Sequence, residues 1–487
     1  MAAARATKTT AMVIVATLRS SCSTTFSLST AMIFLLFLIS TKVTTTSALN
    51  DAVLSVKYKY AGREPSLSAL KAHDDRRQLR ILAGVDLPLG GSGRPDAVGL
   101  YYARIGIGTP PKDYYVQVDT GSDIMWVNCI QCKDCPTRSS LGIDLTLYDI
   151  KDSSTGKLVP CDEEFCLEVS GGPLSGCTKN VTCPYLQIYG DGSSTAGYFV
   201  KDVVQYDRVS GDLETTSSNG SVIFGCGATQ SGDLASNGEE ALDGILGFGK
   251  SNSSVISQLA SSGRVKKMFA HCLDGTNGGG IFAIGHVVQP KVNMTPLVPN
   301  QKGTIIDSGT TLAYLPEMVY VPLVSKILSQ QPDLKVRTVH GEYTCFQYSE
   351  SLDDAFPPVT FYFENSLSLK VHPHEYLFSY EGMWCIGWQN SGMQSRDSKN
   401  LTLLGDLVLS NKLVVYDLEN QAIGWTEYNC SSNIKVKDEQ TGTVHLVGSH
   451  YISSACHVKS QWSIIFLLVT MLLHTLVYCD ATTKRDC

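Results

Sequence analysis

The feature that most constrains this chain of 487 residues is a short acidic motif that occurs twice, with its two aspartates 188 residues apart. Residues 119–122 read Asp-Thr-Gly-Ser, and residues 307–310 read Asp-Ser-Gly-Thr. Each copy follows an apolar run typical of a β-strand, at residues 114–118 and 303–306. The glycine in each copy allows a tight turn that another backbone can approach closely. The repeat predicts two related halves that each deliver one carboxylate to a common point.

Two carboxylates at one point have a specific chemistry. Because like charges repel, one carboxyl of Asp119 and Asp307 stays protonated while the other is anionic, and the pair titrates as a unit. The anion can accept a proton from a bound water while its partner protonates a substrate carbonyl. This chemistry requires neither a metal nor another cofactor, and none is predicted. The other motif residues are expected to support the pair through hydroxyl groups and close backbone approach: Thr120, Gly121, Ser122, Ser308, Gly309 and Thr310.

A second repeated element lies downstream of each acidic motif. Residues 245–247 read Ile-Leu-Gly, and residues 403–405 read Leu-Leu-Gly. Two apolar residues and a glycine can pack beneath each acidic turn and let two backbones cross. A single Asp-Thr-Gly-Ser is an ordinary turn sequence, but two copies with two matching downstream elements favour a functional pair.

With these motifs the chain resembles the pepsin-like aspartic proteases over roughly residues 98–430. Residues 189–192, Tyr-Gly-Asp-Gly, resemble the flap of that family, a β-hairpin that closes over the substrate. The resemblance implies an all-β, bilobal fold with the active site in the cleft between the lobes. The site residues that it implies are the catalytic acids Asp119 and Asp307, the flap residues Tyr189, Gly190 and Asp191, and Trp126 beneath the flap.

The cysteines point to an oxidising compartment. Of 16 cysteines, twelve lie between residues 129 and 430, an even number that permits six disulfides. Their concentration after the first acidic motif and before the flap resembles the cysteine-rich insertion of the nepenthesin-like plant branch of the family. That resemblance implies a disulfide between Cys345 and Cys385. The residues leave one alternative open, a zinc site at Cys129, Cys132 and Cys135, for which no fourth ligand is evident.

Composition agrees with a globular protein of two lobes. The chain is too long for one ordinary core, with 43% hydrophobic and 17% charged residues. A net charge of −7 provides no basic footprint, so we expect no nucleic-acid partner. Apolar runs separated by Gly, Ser, Asn and Asp predict many short strands. Leucine-containing runs at 255–259 and 317–330 predict short helices, and residues 217–220 predict a surface loop.

The N-terminal region is expected to direct the chain into the secretory pathway. Residues 1–48 combine basic residues, an apolar run and small residues at the end, as secretory signals do. An organellar transit peptide is the alternative, because this region is also rich in Ser and Thr and poor in acids. Residues 49–97 predict a basic pro-segment followed by a flexible joint at 88–93. Secretion would expose six glycosylation sequons, at Asn180, Asn219, Asn252, Asn293, Asn400 and Asn429.

The C-terminal region is expected to hold the protein on a membrane. Residues 462–478 form an apolar run of 17 residues, near the lower limit for a membrane span. Small residues ahead of it, Ser453 and Ser454, are candidate sites of glycosylphosphatidylinositol (GPI) attachment. The alternative is a transmembrane helix, because Lys484 and Arg485 follow the run. The predicted lobes are 98–294 and 295–430, followed by a stalk at 431–454 and an anchor signal at 455–487.

These patterns predict a secreted, membrane-anchored aspartic endopeptidase that is made as a zymogen, acts as a monomer on peptide substrates and favours acid pH. The plasma membrane, on its extracellular side, is the expected location. A binding or inhibitor-like protein on the same fold is the alternative. Retention of both acids and Tyr189 favours the enzyme.

Overall fold

The structure is a computed structural model that describes residues 84–91, 101–178, 180–235, 241–298, 303–393, 401–439 and 441–452. The predictions for the signal, most of the pro-segment, Asn400, Ser453, Ser454 and the anchor lie outside these residues. Among the residues described, no helix is both long enough and apolar enough to cross a bilayer.

Strands dominate the described residues, so the predicted all-β class is confirmed. Those that precede residue 300 are β1 (Val85–Asp86), β2 (Leu89–Gly91), β3 (Tyr101–Ile107), β4 (Lys112–Asp119), β5 (Trp126–Asn128), β6 (Lys157–Leu158), β7 (Pro184–Ile188), β8 (Ser194–Gly211), β9 (Glu214–Ser231), β10 (Gly244–Gly247), β11 (Met268–Leu273), β12 (Gly280–Ile284), β13 (His286–Gln289) and β14 (Asn293–Pro296). Those that follow are β15 (Thr304–Ile306), β16 (Ala313–Leu315), β17 (Val336–Val339), β18 (Tyr343–Phe346), β19 (Val359–Tyr362), β20 (Ser368–Val371), β21 (Leu377–Tyr380), β22 (Met383–Ile386), β23 (Trp388–Asn390), β24 (Thr402–Leu404), β25 (Lys412–Asp417), β26 (Ala422–Glu427), β27 (Ile434–Lys437) and β28 (Val444–Val447).

The helices in the described ranges are short. The α-helices are α1 (Glu164–Val169), α2 (Val255–Ser261), α3 (Glu317–Leu328), α4 (Leu352–Ala355) and α5 (Asp406–Leu409). Single turns of 3-10 helix occupy Ile150–Asp152, Gly232–Ala235, Glu364–Ser366, Pro373–Glu375 and Ser391–Met393. Both predicted helices are present as α2 and α3. Helix α2 begins where the Ser254 hydroxyl accepts a hydrogen bond from the Ser257 amide, a standard N-cap.

One large sheet joins the two halves of the chain. Its strands run in the order β14-β26-β25-β11-β12-β1-β8-β9-β5-β10-β4-β3-β2, with β6 and β7 paired to β8. The halves meet where β25 pairs antiparallel with β11. The main hydrophobic core contains buried residues of both halves, including Val118, Leu246, Leu404 and Val414. The large sheet carries the first acidic motif on β4, and the shared core connects that strand with Ile306, the residue before the second motif.

Four smaller sheets contain the other strands of the described residues. Their strand orders are β15-β24-β16-β23, β17-β18-β22-β21, β19-β20 and β13-β27-β28. The first of these carries the second acidic motif, because β15 ends directly before Asp307. The last includes two strands from the region predicted to be a stalk.

Residues 84–91, which the sequence assigns to a pro-segment and joint, are part of the folded sheet. Strand β1 pairs with β8 and β12, and β2 pairs with β3. Val85, Leu87 and Leu89 are all buried, and they alternate with the period of a strand. Pro88 and the following glycines suggest a flexible joint, but the apolar residues at every second position pack into the core and the segment forms strands β1 and β2.

The segment predicted to be a stalk also differs from expectation, because its described residues from 434 to 439 and from 441 to 452 pack on the body of the protein. Ile434, Val436 and Val447 are buried beside Ala270 and Cys272. Burying one such aliphatic side chain contributes roughly 1.5–3 kcal/mol, which a solvated stalk would not gain. Farther along, His450 lies 2.8 Å from Asp86 and exchanges backbone hydrogen bonds with Gly280.

Candidate active site

Two equivalent strand arrangements deliver the two aspartates. Strand β4 ends at Asp119 and lies parallel to β10, with Gly247 opposite Asp119. Strand β15 ends before Asp307 and lies parallel to β24, which ends before Gly405. A Cβ on Gly405 would lie 2.2 Å from the Thr310 carbonyl oxygen, so only glycine fits this crossing. The two repeated apolar elements therefore lie directly beside the acidic turns.

Hydroxyl groups cross-link the two acidic turns. The Thr120 hydroxyl donates to the Ile306 carbonyl at 3.0 Å and accepts from the Ser308 amide at 3.0 Å. The Ser308 hydroxyl donates to the Val118 carbonyl at 2.9 Å. Gln117 adds a further bond to the Gly309 carbonyl at 2.9 Å. The expected cross-bonding by Thr120 and Ser308 is present in the structure.

Each carboxylate is held by its own turn in the same way. Asp119 accepts hydrogen bonds from the Gly121 amide at 2.8 Å and from the Ser122 amide and hydroxyl. Asp307 accepts from the Gly309 amide at 2.8 Å and from the Thr310 hydroxyl at 2.7 Å. These bonds fix both carboxylates on rigid backbone, as a catalytic pair requires.

The two carboxylates lie against each other's turns. A Cβ on Gly121 would lie 2.6 Å from the Asp307 carboxylate, and one on Gly309 would lie 2.3 Å from Asp119 Oδ1. Any other residue at these positions would force the turns apart. The structure therefore brings the six predicted support residues and both acids into one site.

The buried position of the two acids favours the protonated form of Asp119. Asp119 and Asp307 are only 5% and 7% exposed. Burial, followed by the negative charge of Asp307, raises the pKa of Asp119 to about 7, against opposing hydrogen bonds from Ser122 and Gly121. Asp119 can therefore hold a proton over the acid range while a neighbouring carboxylate is anionic.

The predicted flap lies over the first acidic motif. Strands β7 and β8 form a hairpin whose turn is closed by the Tyr189 amide donating to the Ser193 carbonyl at 2.9 Å. Asp191 accepts from the Ser193 amide and hydroxyl and stabilises the turn, while Gly190 is exposed. Trp126 Nε1 donates to the Tyr189 hydroxyl at 2.7 Å. The structure therefore places Tyr189 beside Trp126, as the resemblance implied.

Asp406 is a buried acid that the sequence analysis missed. It begins helix α5 directly after the second apolar-apolar-glycine element, at the position where the first repeat has Phe248. It is 2% exposed, and neither carboxylate oxygen has a hydrogen-bond partner among the described residues. Burial, and then the charges of Asp307 and Asp119, raise its pKa well above the ordinary value. The acid at this position of the second repeat, where the first repeat has phenylalanine, is the sequence signal that could have identified Asp406.

Asp406→Asn is expected to reduce the loss of stability that accompanies a rise in pH. The pKa of Asp406 is higher in the folded protein than the value of about 3.9 in the unfolded chain. Its contribution to the free energy of unfolding is therefore fully present below the unfolded pKa, and it is lost as the pH rises through the folded pKa. Asparagine cannot ionise, so the variant should show a smaller fall in Tm between about pH 4 and pH 7 than the wild type. Scanning calorimetry checks this, with exposed Asp113→Asn as control. Equal falls in both proteins would contradict it.

The cysteines form six disulfides, and the zinc alternative is wrong. The pairs are Cys129–Cys226, Cys132–Cys135, Cys161–Cys177, Cys166–Cys183, Cys272–Cys430 and Cys345–Cys385. Cys345–Cys385 is the pair that the resemblance implied. Because Cys129, Cys132 and Cys135 are all oxidised, they have no thiolates to offer a metal. The asparagines of the described sequons are exposed: Asn180, Asn219, Asn252, Asn293 and Asn429.

Comparison with known families agrees with this geometry. Residues 101–286 match a family model described as the N-terminal part of a xylanase inhibitor, and residues 285–427 match its C-terminal counterpart. Aspartic proteinase 36 of Arabidopsis thaliana is 48% identical over 86% of this chain and 92% of its own length. The chain belongs to the pepsin-like aspartic protease family. Aspartic proteinase nepenthesin-2 of Nepenthes gracilis, a more distant relative, is 25% identical over 77% of this chain and 87% of its own length.

Solved structures support the family's fold. Conglutin gamma from lupine seeds matches with a TM-score of 0.57 at 19% identity, over 72% of this chain and 96% of its own. Basic 7S globulin from soybean matches with a TM-score of 0.54 at 20% identity, over 71% and 96%. At these identities the likeness shows the fold alone. It confirms the prediction of a bilobal, pepsin-like architecture.

Proposed function

We propose that the protein is an aspartic endopeptidase in which Asp119 and Asp307 activate a water molecule to hydrolyse peptide bonds. The single observation that carries the proposal is the mutual approach of the two carboxylates, each of which lies where the other turn has glycine. The two carboxyls share one proton, so one is protonated while the other is anionic. The anionic carboxylate takes a proton from water while its protonated partner protonates the substrate carbonyl, so charge never accumulates on one group.

The flap has a separate task in the proposed reaction. Tyr189 closes over an extended peptide, and the hydrogen bond that Trp126 donates holds its hydroxyl in place. Closure excludes water from the cleft and strengthens the electrostatic interactions inside it. An extended peptide bound mainly through its backbone implies tolerance for many sequences.

Activity should be highest at acid pH and fall as pH rises through about 7. The pKa of Asp119 is raised to about 7, so the proton that the reaction needs is present below that pH and lost above it. We expect protein from the full-length chain, purified from eukaryotic cells with its pro-segment removed, to cleave denatured protein at acid pH. Pepstatin should inhibit the cleavage, and mass spectrometry should show hydrolysed peptide bonds. Cleavage that is insensitive to pepstatin or strongest at alkaline pH would contradict the proposal.

The inhibitor-like alternative rests on the description of the matching family models as parts of a xylanase inhibitor. An inhibitor needs a surface that binds its target enzyme, but it does not need a protonated pair of aspartates. Inhibition of a xylanase by this protein, unchanged in the Asp119→Asn variant, would support it. Failure of the processed wild type to cleave any protein, together with that inhibition, would replace the proposed peptidase.

We propose that the protein acts as a monomer on the outer face of the plasma membrane. Six disulfides and five exposed sequons support passage through the secretory pathway. The apolar run at 462–478 supports a C-terminal anchor, with Ser453 or Ser454 as the attachment site. Release from intact cells by a phosphatidylinositol-specific phospholipase would identify a GPI anchor. Retention after this treatment would favour a transmembrane helix.

A further inference from the structure

Strand β1, which lies within the predicted pro-segment, joins two parts of the large sheet. In the strand order it lies between β12 and β8, and it pairs antiparallel with both of them. Among the strands described, no other pairing connects the part that contains β8, β9 and β4 with the part that contains β12, β11 and β25. Loss of β1 would therefore open the sheet and leave two unpaired strand edges.

The N-terminal segment, residues 84–91, is bound to the body of the protein through its side chains and its backbone. Three of its side chains belong to the main hydrophobic core and are at most 3% exposed: Val85, Leu87 and Leu89. The Gly84 carbonyl accepts from the Val209 amide at 2.8 Å, and the Leu87 amide donates to the Phe282 carbonyl at 3.0 Å. Removal of the segment would empty these core positions and leave the Val209 amide without its acceptor.

The C-terminal segment, residues 441–452, holds the N-terminal segment in place. The Ile452 amide donates to the Leu89 carbonyl at 3.2 Å. Farther along the same contact, His450 Nε2 lies 2.8 Å from Asp86 Oδ2. A backbone contact and a side-chain contact therefore tie the two segments together, although more than 350 residues of sequence separate them.

Gly84 itself is too closely packed to become the first residue of the protein. It is buried, and a Cβ at this position would lie 2.8 Å from Val436 Cγ1 on β27. A cut directly before Gly84 would create a charged amino group beside this apolar side chain. Burying an unpaired charge is costly. A chain that starts farther upstream avoids that cost.

The residues that follow the N-terminal segment offer no replacement for it. Residues 92–97 read Ser-Gly-Arg-Pro-Asp-Ala, and their only apolar side chains are those of proline and alanine. They lack the large apolar residue at every second position that a buried strand such as β1 requires. Proline also cannot donate a hydrogen bond to a neighbouring strand. A protein cut within residues 92–97 would therefore lose β1 without gaining a substitute from these residues.

We propose that maturation cuts the chain before Gly84 and leaves the N-terminal segment in the mature protein as a permanent part of the large sheet. The inference rests on the proposed function, because it locates the end of the pro-segment in the proposed zymogen. The cut is a hydrolysis: water adds across one peptide bond, leaving a carboxylate on the released pro-segment and an amino group on the mature chain. The pro-segment thus ends before residue 84, and not at residue 97.

The amino terminus of the mature protein tests this proposal. The full-length chain is expressed in eukaryotic cells, and the terminal amine of the purified mature form is labelled and identified by mass spectrometry. We expect a cut beyond the signal that leaves a terminus before Gly84, with residues 84–91 present in the same chain. A terminus at Gly84 or farther along the chain would overturn the proposal. A mature form that has lost only its signal would also overturn it.

An engineered cut tests the physical reason for keeping the N-terminal segment. The recognition sequence of a site-specific protease is inserted after Arg94, and the folded protein is then cut. The cut should lower the Tm by more than about 4 °C, and dilution should lower it further, because no covalent bond then holds the segment. Wild-type protein treated with the same protease is the control. A Tm that the cut leaves unchanged would overturn the proposal, because the fold would then not need the segment's covalent attachment.

Neither measurement requires peptidase activity, so this inference and the proposed function can fail separately. Absence of dyad-dependent cleavage would refute the peptidase, and the terminus would still show where the pro-segment ends. A terminus beyond residue 84 in an active enzyme would refute this inference and leave the peptidase function intact.

Discussion

Asp119→Asn and Asp307→Asn are each expected to lower kcat/KM for peptide cleavage by about 10²–10⁴-fold or more, with little change in the fold. Asparagine keeps the size of aspartate and can still accept from the turn amides that hold it, those of Gly121 and Gly309. It cannot share or transfer the proton that the reaction moves. Because the two acids act as one unit, the double variant should be no worse than either single variant.

A quenched fluorescent peptide assayed at acid pH measures this loss. Asp113→Asn is a suitable control, because that side chain is 61% exposed and forms a weak 3.6 Å pair with Arg104. The Tm of each variant shows whether the fold is retained. If Asp119→Asn cleaved at the wild-type rate, the dyad would not be the catalyst and the binding-protein interpretation would gain support.

The dyad and the flap were predictable because the residues that form each of these turns are contiguous in the sequence. An acid, a hydroxyl and a glycine must be adjacent in sequence to form the turn that holds the acid, as at 119–122 and 307–310. The flap tyrosine likewise precedes the glycine turn that it closes. Helix α3 was predictable from the length and composition of residues 317–330. Local requirements of this kind leave local sequence patterns.

Contacts made by strand pairing left no comparable pattern. His271 and Tyr416 are 145 residues apart, and only the pairing of β11 with β25 makes them neighbours. The disulfide Cys272–Cys430 likewise joins residues that are 158 positions apart. The spacing of two residues in the sequence cannot identify such partners, because it does not show which strands will pair. Asp406 was visible only as a difference between the two repeats.

Composition misled the prediction where strands are polar or rich in glycine. Residues 217–220 were predicted to be a surface loop, but they belong to β9 and pair with β8. Ser217 and Asn219 are exposed, so the hydrogen bonds to β8 hold these polar residues in the strand. Residues 84–91 show the opposite case, because this segment with proline and glycine forms two short buried strands, β1 and β2. In both segments tertiary pairing overrides local propensity.

Glu375→Ala is expected to destabilise the protein by about 3–5 kcal/mol, the largest effect on stability that we expect from one substitution. Glu375 and Lys412 form an ion pair at 2.7 Å, with side chains only 5% and 1% exposed. Lys412 also donates to the Ser410 carbonyl, and Glu375 accepts from the His372 amide. Removing the carboxylate leaves an ammonium buried with one weak partner, and burial already lowers the pKa of Lys412.

The matched control is Asp152→Ala, which removes a pair of the same length at the surface. Lys112 and Asp152 are also 2.7 Å apart, but their side chains are 45% and 57% exposed. Water and salt screen that pair, so its loss should cost less than about 1 kcal/mol. Urea unfolding at constant pH measures both variants. A double variant, Glu375→Ala with Lys412→Met, should recover much of the loss, because it removes the unpaired charge together with its partner. Equal costs for the buried and the exposed pair would show that burial does not set the strength of this interaction.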